Sequence, residues 1–409
     1  MLDDSLPLQE KINKLVLLYE KGLFKEALIE AKYLVNKNPN ISIIYNIHGV
    51  INLAVENWKN SVECFSKAIS IDPTYAEAYY NLGIAQDNLE QMEEAIKSYA
   101  KAVEIKPDLV RAHEALIHIL SFYNPKKSNT NSCIKANKLL QIQSYNYKLE
   151  KKISDADVVN FFYQTNNIIS QNINTLSLNE TEIFRNNTID LKCERHFKVF
   201  NTFNIIPEYC FGCYKVQIEV KNVIELFKLY FIFDNLKLKN NNPRKCMVEL
   251  RPKIEAPYKG FIYCTSIKET NEIYNQIKII LDKNINLKTS IIIKRGCSEF
   301  GASYPEYKII NKNKEQSMKY NEKWRIKEKL IDDQSTQSDN GKRRRLRKNL
   351  TGATVCDILI MRNWVGYAKI IGDTSYKKII EDVHIPLHIE KKLSYQLLKY
   401  KKETPPSPD

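Results

Sequence analysis

Three prolines, Pro39, Pro73 and Pro107, stand 34 residues apart, as do Ala27, Ser61 and Ala95, and Gly49 precedes Gly83 by the same interval. A period shared by several residue types restricts the fold before any composition is considered. It means one supersecondary unit stacked on copies of itself, because a unit of that length cannot bury its apolar face alone. Within 76–109 the apolar and small residues follow helical spacing in two blocks, 76–88 and 93–105, with a polar turn between them and Pro107 closing the second. Small residues at Gly83, Ala95 and Ala102 let two helices approach closely, while Tyr79, Leu82 and Tyr99 fill the space between them.

These positions resemble the tetratricopeptide repeat (TPR) family. Its W-x2-L-G-x2-Y…A-x3-F…P pattern is met by Tyr79, Leu82, Gly83, Ala95, Tyr99 and Pro107, with Gln86 where the family usually has Tyr. Repeat 42–75 matches through Tyr45, Gly49, Phe65, Ala68 and Pro73, and departs at His48, Asn52 and Ser61. Repeat 8–41 keeps Gly22, Ala27, Ala31 and Pro39 and reads as a degenerate cap. VRAHEALIHILSFY (110–123) begins a fourth unit, broken by NPKKSNTNS, with IKANKLLQIQ as a closing helix.

The resemblance, over 8–143, implies an α-solenoid in which the first helix of each unit lines a concave groove for a protein or peptide partner. By that resemblance the groove presents Ile43, Asn46, Val50, Leu53, Glu77, Tyr80, Ile84, Asp87 and Asn88. Apolar residues mixed with Glu77 and Asp87 suit an extended or helical peptide bearing a positive charge. The Lys/Arg set that clamps a peptide's terminal carboxylate is missing. The alternative is an array that packs only against the chain's own C-terminal part.

From 213 to 297 the periodicity changes repeatedly. YKVQIEV (214–220) alternates as a half-buried strand, NVIELFKLYFIFDNL (222–236) has helix length with Asn222 as cap, and CMVELRP (246–252) is a second strand. GFIYCTS (260–266) makes a third, Ser266 caps a helix over 267–283, and NLKTSIIIKRGC supplies a fourth strand. The order β-α-β-β-α-β predicts a ferredoxin-like plait, so the expected fold class is a multidomain chain, an α-solenoid followed by an α/β domain and a C-terminal helical segment. KGFIYC (259–264) partly fits the RNA-recognition signature through Lys259, Gly260, Phe261 and Tyr263, while Ile262, Cys264 and Ser266 depart from it. In that family two aromatics stack bases, but Lys215 follows Tyr214 here and the first strand offers no second platform. Phe261 and Tyr263 can equally be ordinary strand aromatics.

Cys193 and His196 are spaced C-x2-H, and Cys210 and Cys213 C-x2-C, with thirteen residues between the pairs. Thiolate and imidazole are the ligands of closed tetrahedral zinc sites, so one zinc ion is the cofactor this spacing allows. Buried unliganded cysteines and a redox dithiol are the alternatives, and Cys246, Cys264 or Cys297 could replace His196 as a ligand. His384 and His388, with Pro386 between them, cannot share a helix face. No G-x-x-x-x-G-K-[ST] or G-x-G-x-x-G motif occurs among only 11 glycines, and no acid, base or nucleophile can be assigned.

The net charge of +14 is uneven: 17 acidic and 12 basic residues in 1–120 leave 50 basic against 31 acidic in the remainder. A basic C-terminal part favours nucleic acid, lipid head groups or acidic protein, or reflects a positive surface of no special use. Lys342, Arg343, Arg344, Arg345, Arg347 and Lys348 concentrate that charge in a polar stretch that reads as a linker, a binding run or an import address. The opening MLDDSLPLQE lacks the order of a signal peptide and the most apolar run, 223–233, is too short to span a membrane, so a cytoplasmic chain with free thiols is expected. The expected organisation is repeats at 1–145, a helical connector at 146–184, the α/β domain at 185–310, a polar and basic linker at 311–350, a helical segment at 351–395 and a disordered tail at 396–409. The expected function is an adaptor or scaffold whose repeats take one partner and whose basic α/β module takes another. The alternative is a nucleic-acid-binding or -modifying factor, or a metal or redox enzyme, recruited by its repeats.

Overall fold

The computed structural model describes residues 6–126, 130–143, 152–173, 176–188, 191–250, 256–285, 290–310, 316–338, 347–380, 387, 389–391 and 393–395. It divides into two compact units, Met1–Lys135 with Asp332–Arg345, and Ala136–Ile331 with Leu346–Asp409.

The first unit is a run of antiparallel helix pairs: α1 (Leu8–Glu20) with α2 (Phe24–Lys37), α3 (Ser42–Ala54) with α4 (Trp58–Ile71), and α5 (Ala76–Asn88) with α6 (Met92–Ile105), followed by α7 (Val110–Leu120). The 34-residue period reappears in the backbone. Gly22, Glu56 and Glu90 all take left-handed conformations, with φ of 72°, 59° and 62°. The next residue in each case donates to a carbonyl five positions back: Leu23 to Leu18 at 3.0 Å, Asn57 to Asn52 at 2.9 Å and Gln91 to Gln86 at 2.9 Å. This is the Schellman ending, which satisfies the last carbonyls of one helix and turns the chain into the next. Small residues then bring the paired helices together. A Cβ on Gly49 would lie 2.5 Å from the Phe65 ring, and one on Gly83 2.5 Å from the Tyr99 ring.

The second unit opens with α8 (Ser132–Gln143), whose first residues belong to the first unit, and α9 (Asp155–Ile173). After them come β1 (Glu182–Arg185), α10 (Cys193–Phe203), the single turn α11 (Glu208–Phe211), β2 (Tyr214–Val220), α12 (Val223–Asn235), β3 (Arg244–Val248), β4 (Tyr258–Cys264), α13 (Ile267–Asn284) and β5 (Ser290–Arg295). The chain continues through α14 (Ser298–Ser303), α15 (Arg325–Ser338) and α16 (Val355–Ile370). All pairings in the five-stranded sheet are antiparallel, in the order β1-β3-β4-β2-β5.

Helices α12 and α13 start where the sequence places caps, with Asn222 Oδ1 accepting from the Glu225 amide and Ser266 Oγ from the Glu269 amide. Gly260 exists for α12: a Cβ there would meet Leu229 at 2.5 Å and Phe233 at 3.0 Å. Every residue from Val223 to Phe233 is buried, because α12 packs on the sheet by one side and on α9 and α16 by the other. That position explains an apolar surface all round the helix instead of a stripe.

Three parts of the expected organisation differ. A fifth strand, β1, runs from the end of the stretch expected as connector into the first residue of the expected α/β domain, pairing with β3 along the edge. The polar segment 311–350 contains α15, which is held by burial of Glu328 and Ile331. The helix in 351–395 belongs to the second unit: Trp364 Nε1 donates to the Thr181 carbonyl at 2.8 Å and the Tyr367 hydroxyl to the Glu249 carbonyl at 2.6 Å.

Candidate functional site

In the first unit α1 packs on α3 and α3 on α5, so the first helices of successive repeats lie side by side. Ile43 is 43% exposed and Val110, at the head of α7, 62% exposed. Tyr80 and Ile84 are half-buried on α5, and the Arg111 guanidinium lies 5.0 Å from the Tyr80 ring centroid. Asn46 is buried, donating to the Tyr75 hydroxyl at 3.2 Å and accepting from Asn81 at 3.0 Å. Val50 and Leu53 pack against Phe65, Leu82 and Ala85 and thus serve the core between helices. Asn88 donates back to the Ile84 carbonyl at 2.9 Å, and the Asp87 carbonyl receives the Glu90 amide at 3.1 Å in the turn. Glu77 is paired with Lys106 at 2.8 Å, and that hydrogen bond holds its carboxyl below the usual range. Sequence reasoning missed Asn81, Val110 and Arg111. Arg111 follows Glu77 by one period, so the spacing alone could have found it.

The cysteine–histidine quartet comes from α10 (Cys193 and His196), α11 (Cys210) and the residue before β2 (Cys213). Cys193 is exposed at the first position of α10, and His196, one turn on, is buried and stacked on Tyr209 at 5.2 Å. Cys210 lies in an apolar cluster with Ile206, Phe300 and Tyr307, where burial pushes its thiol up. Burial also pushes the Cys213 thiol up, to about 11. Lys215 is buried with its amine 3.5 Å from Cys297 Sγ. Burial alone would lower that amine's pKa, but the sulfurs of Cys297, Cys213 and Cys193 raise it above the ordinary value. Among the described residues no group of three or more His, Cys, Asp or Glu is disposed to hold a metal ion.

The strand register gathers lysines and aromatics on the sheet face opposite Val216, Ile218 and Val220, since side chains alternate between faces along each strand. One row across the sheet reads Phe184, Lys245, Phe261, Gln217, Ile292. The next reads Tyr263, Lys215, Lys294, and Lys259 stands opposite Met247 and Glu219. The Lys245 ammonium lies 5.4 Å from the Phe184 centroid and 5.7 Å from that of Phe261, and pairs with Glu182 at 2.8 Å. Lys215 lies 5.3 Å from the Tyr263 centroid. Phe184 is thus the second aromatic that the sequence did not reveal. It comes from β1, a strand outside the expected set.

Of the basic run, Arg347 is half-buried and Lys348 exposed, while Lys342, Arg343, Arg344 and Arg345 lie outside the described residues, as do His384 and His388. Among the described residues no helix is long and apolar enough to cross a membrane.

Residues 76–109 match the family model described as tetratricopeptide repeat, and residues 54–89 one described as TPR repeat. No curated protein sequence matches the chain. Among solved structures, MamA is 25% identical over 28% of this chain and 68% of its own, with a TM-score of 0.27. The first TPR of Spaghetti (RPAP3), bound to an HSP90 peptide, is 19% identical over 29% of this chain and 95% of its own, with a TM-score of 0.27. The Arabidopsis OM64 TPR domain is 19% identical over 27% of this chain and 92% of its own, with a TM-score of 0.27. The N-terminal unit is therefore a helical solenoid of tetratricopeptide type.

Proposed function

We propose that the protein is an adaptor whose repeat array holds a peptide segment of one partner, while its C-terminal unit contacts a second. The observation that carries the first half is the side-by-side packing of α1, α3 and α5, which leaves Ile43, Tyr80, Ile84 and Val110 partly or largely solvent-accessible. Apolar side chains at the edges of stacked first helices, with amides such as Asn81 between them, suit an extended or helical peptide carrying apolar anchors. With Glu77 already neutralised by Lys106, apolar contact and not charge is the main source of affinity in this reading. Peptide display against the full chain tests it. Selected peptides should bind through this face and lose at least tenfold in affinity on Ile84→Asp, whereas retention of full affinity would refute the assignment.

For the C-terminal unit we propose a ferredoxin-like plait extended by β1. The supporting facts are the element order from β2 to β5 and the strand order around them. A nucleic-acid reading is favoured there by one observation, the interleaving of the half-buried Lys245 and Lys294 with Phe184, Phe261 and Tyr263 on one face, where Lys215 and Lys259 are buried between them. Lysines supply a phosphate track and rings supply stacking platforms for a single strand. Salt-dependent binding of single-stranded RNA by the full chain, weakened by Phe261→Ala, is the expected result, and salt-insensitive or absent binding would remove this second partner.

A further inference from the structure

A cavity of about 320 Å³ lies where β2 begins and β4 ends beside the N-terminus of α13. That is within the range of about 300–1,000 Å³ typical of small-molecule sites. Tyr209 and Tyr263 contribute rings to its wall, Leu191 and Pro243 add apolar surface, and Asn240, Asn242 and Glu269 form a polar edge. Tyr209 is 45% exposed and is braced from behind by the His196 ring, with 25° between the planes. Tyr263 belongs both to this wall and to the lysine–aromatic face, where it stands opposite Lys215. The cavity is therefore continuous with that face through a shared side chain.

The polar edge accepts more than it donates. Glu269 receives Asn240 Nδ2 at 2.7 Å, Asn242 Nδ2 at 2.8 Å, the Thr265 amide at 2.7 Å and the Thr265 hydroxyl at 3.0 Å. All four donors are neutral, and among the described residues Glu269 has no ion-pair partner. Burial alone would raise its pKa, but the bonds from Asn242, Thr265 and Asn240 outweigh that and hold it ionised below the ordinary value. Asn242 is 4% exposed, and its amide nitrogen is committed to the Tyr263 carbonyl at 2.9 Å and to Glu269. That fixes the orientation of the amide and leaves Asn242 Oδ1 without a hydrogen-bond partner. Asn240 is exposed and is the donor that a guest can displace from the carboxylate.

Flat aromatic walls and an acceptor edge select a flat guest with adjacent N–H donors. The unneutralised carboxylate repels phosphate, so a base and not the backbone enters. Guanine offers two neighbouring donors, its ring imino and exocyclic amino groups, where uracil offers one imino group between two carbonyls. We infer that this cavity takes a single unstacked nucleobase, guanine in preference to the others, from a strand carried on the lysine–aromatic face. The inference rests on the nucleic-acid reading of that face.

The test uses the full chain and two fluorescent strands, hexauridylate and the same strand with one guanosine, measured by anisotropy at one salt concentration. A bidentate contact to one base edge corresponds to about 5- to 150-fold discrimination against the wrong base, so the guanosine strand should bind at least fivefold tighter. Tyr209→Ala should abolish that advantage and Tyr209→Phe should keep it, while Phe261→Ala should weaken both strands alike. Tyr209 is 45% exposed, and a thermal melt checks that its replacement leaves the fold intact. Equal affinity for the two strands, or a guanosine advantage that survives Tyr209→Ala, overturns the cavity's role while leaving the face intact. Failure of both strands to bind overturns the nucleic-acid reading and the inference with it.

Discussion

The guanidinium of Arg185 spans both carboxylate oxygens of Asp357, at 3.1 and 3.0 Å, with both side chains buried. Arg185 ends the edge strand β1, and Asp357 completes the capping box of α16 with Thr354. The same guanidinium pairs with Asp234 at 2.5 Å and donates to the Tyr230 hydroxyl at 2.7 Å, both on α12. A strand, a buried helix and a helix start, far apart in sequence, are thereby fixed by one side chain. Removing one partner of such a buried pair leaves an uncompensated charge and costs about 3–5 kcal/mol. Asp357→Asn should fall near the lower bound because Asp234 remains, and the double variant Arg185→Met, Asp357→Asn should lose less than the sum of its parts. Denaturant unfolding measures both, and strict additivity would show that the two side chains do not act as a pair.

Gly83 admits the Tyr99 ring where any Cβ would collide with it. Overpacking of this kind costs about 1–3 kcal/mol. Gly83→Ala should lower the melting temperature accordingly, and Tyr99→Leu in the same chain should recover part of the loss. A silent Gly83→Ala would mean that α5 and α6 are not packed as described.

Glu56 holds a left-handed conformation at the repeat position that Gly22 occupies one period earlier. A non-glycine residue there is strained by about 1–2 kcal/mol, against about 0.5–1 kcal/mol for the extra chain entropy that glycine loses on folding. Glu56→Gly should therefore stabilise the protein by about 0.5 kcal/mol. The gain should vanish if Gly22 is the only one of these turns under a geometric requirement.

Glu269 is held below its ordinary carboxyl value of 4.5 by neutral donors. A depressed acid contributes stability that is complete above the unfolded value and lost as pH falls through the folded one. The stability difference between the native chain and Glu269→Gln should thus be constant from pH 7 to about 5 and shrink below about 4.5. A difference that grows on acidification has the wrong sign for this network.

What was legible in the sequence depended on whether a residue's role is local. The repeats were legible because Gly83, Ala95 and Pro107 act within one helix pair, and each period restates them. The strand over 214–220, the strand expected over 260–266 and found at Tyr258–Cys264, and the caps Asn222 and Ser266 follow from alternation and hydrogen-bonding chemistry within a few residues. Strand β1 was not legible, since EIFR is four residues in a polar context and its place is set by Arg185 meeting Asp234 and Asp357. Phe184 stayed hidden with it. The spacing of Cys193, His196, Cys210 and Cys213 carries only local information. Their surroundings depend on α10 and α11, which stack His196 on Tyr209 and place Cys210 in an apolar cluster. Cys297 approaches Lys215 through the β2–β5 pairing, a contact that no spacing rule encodes.

Hydrogen exchange of the full chain, with and without a peptide selected against it, tests the adaptor assignment most directly. Binding to the repeat groove predicts new protection on α3, α5 and α7 around Ile43, Asn81, Ile84 and Arg111, with α2, α4 and α6 unchanged. Protection confined to the second helices of the repeats, or to the sheet of the C-terminal unit, would contradict it.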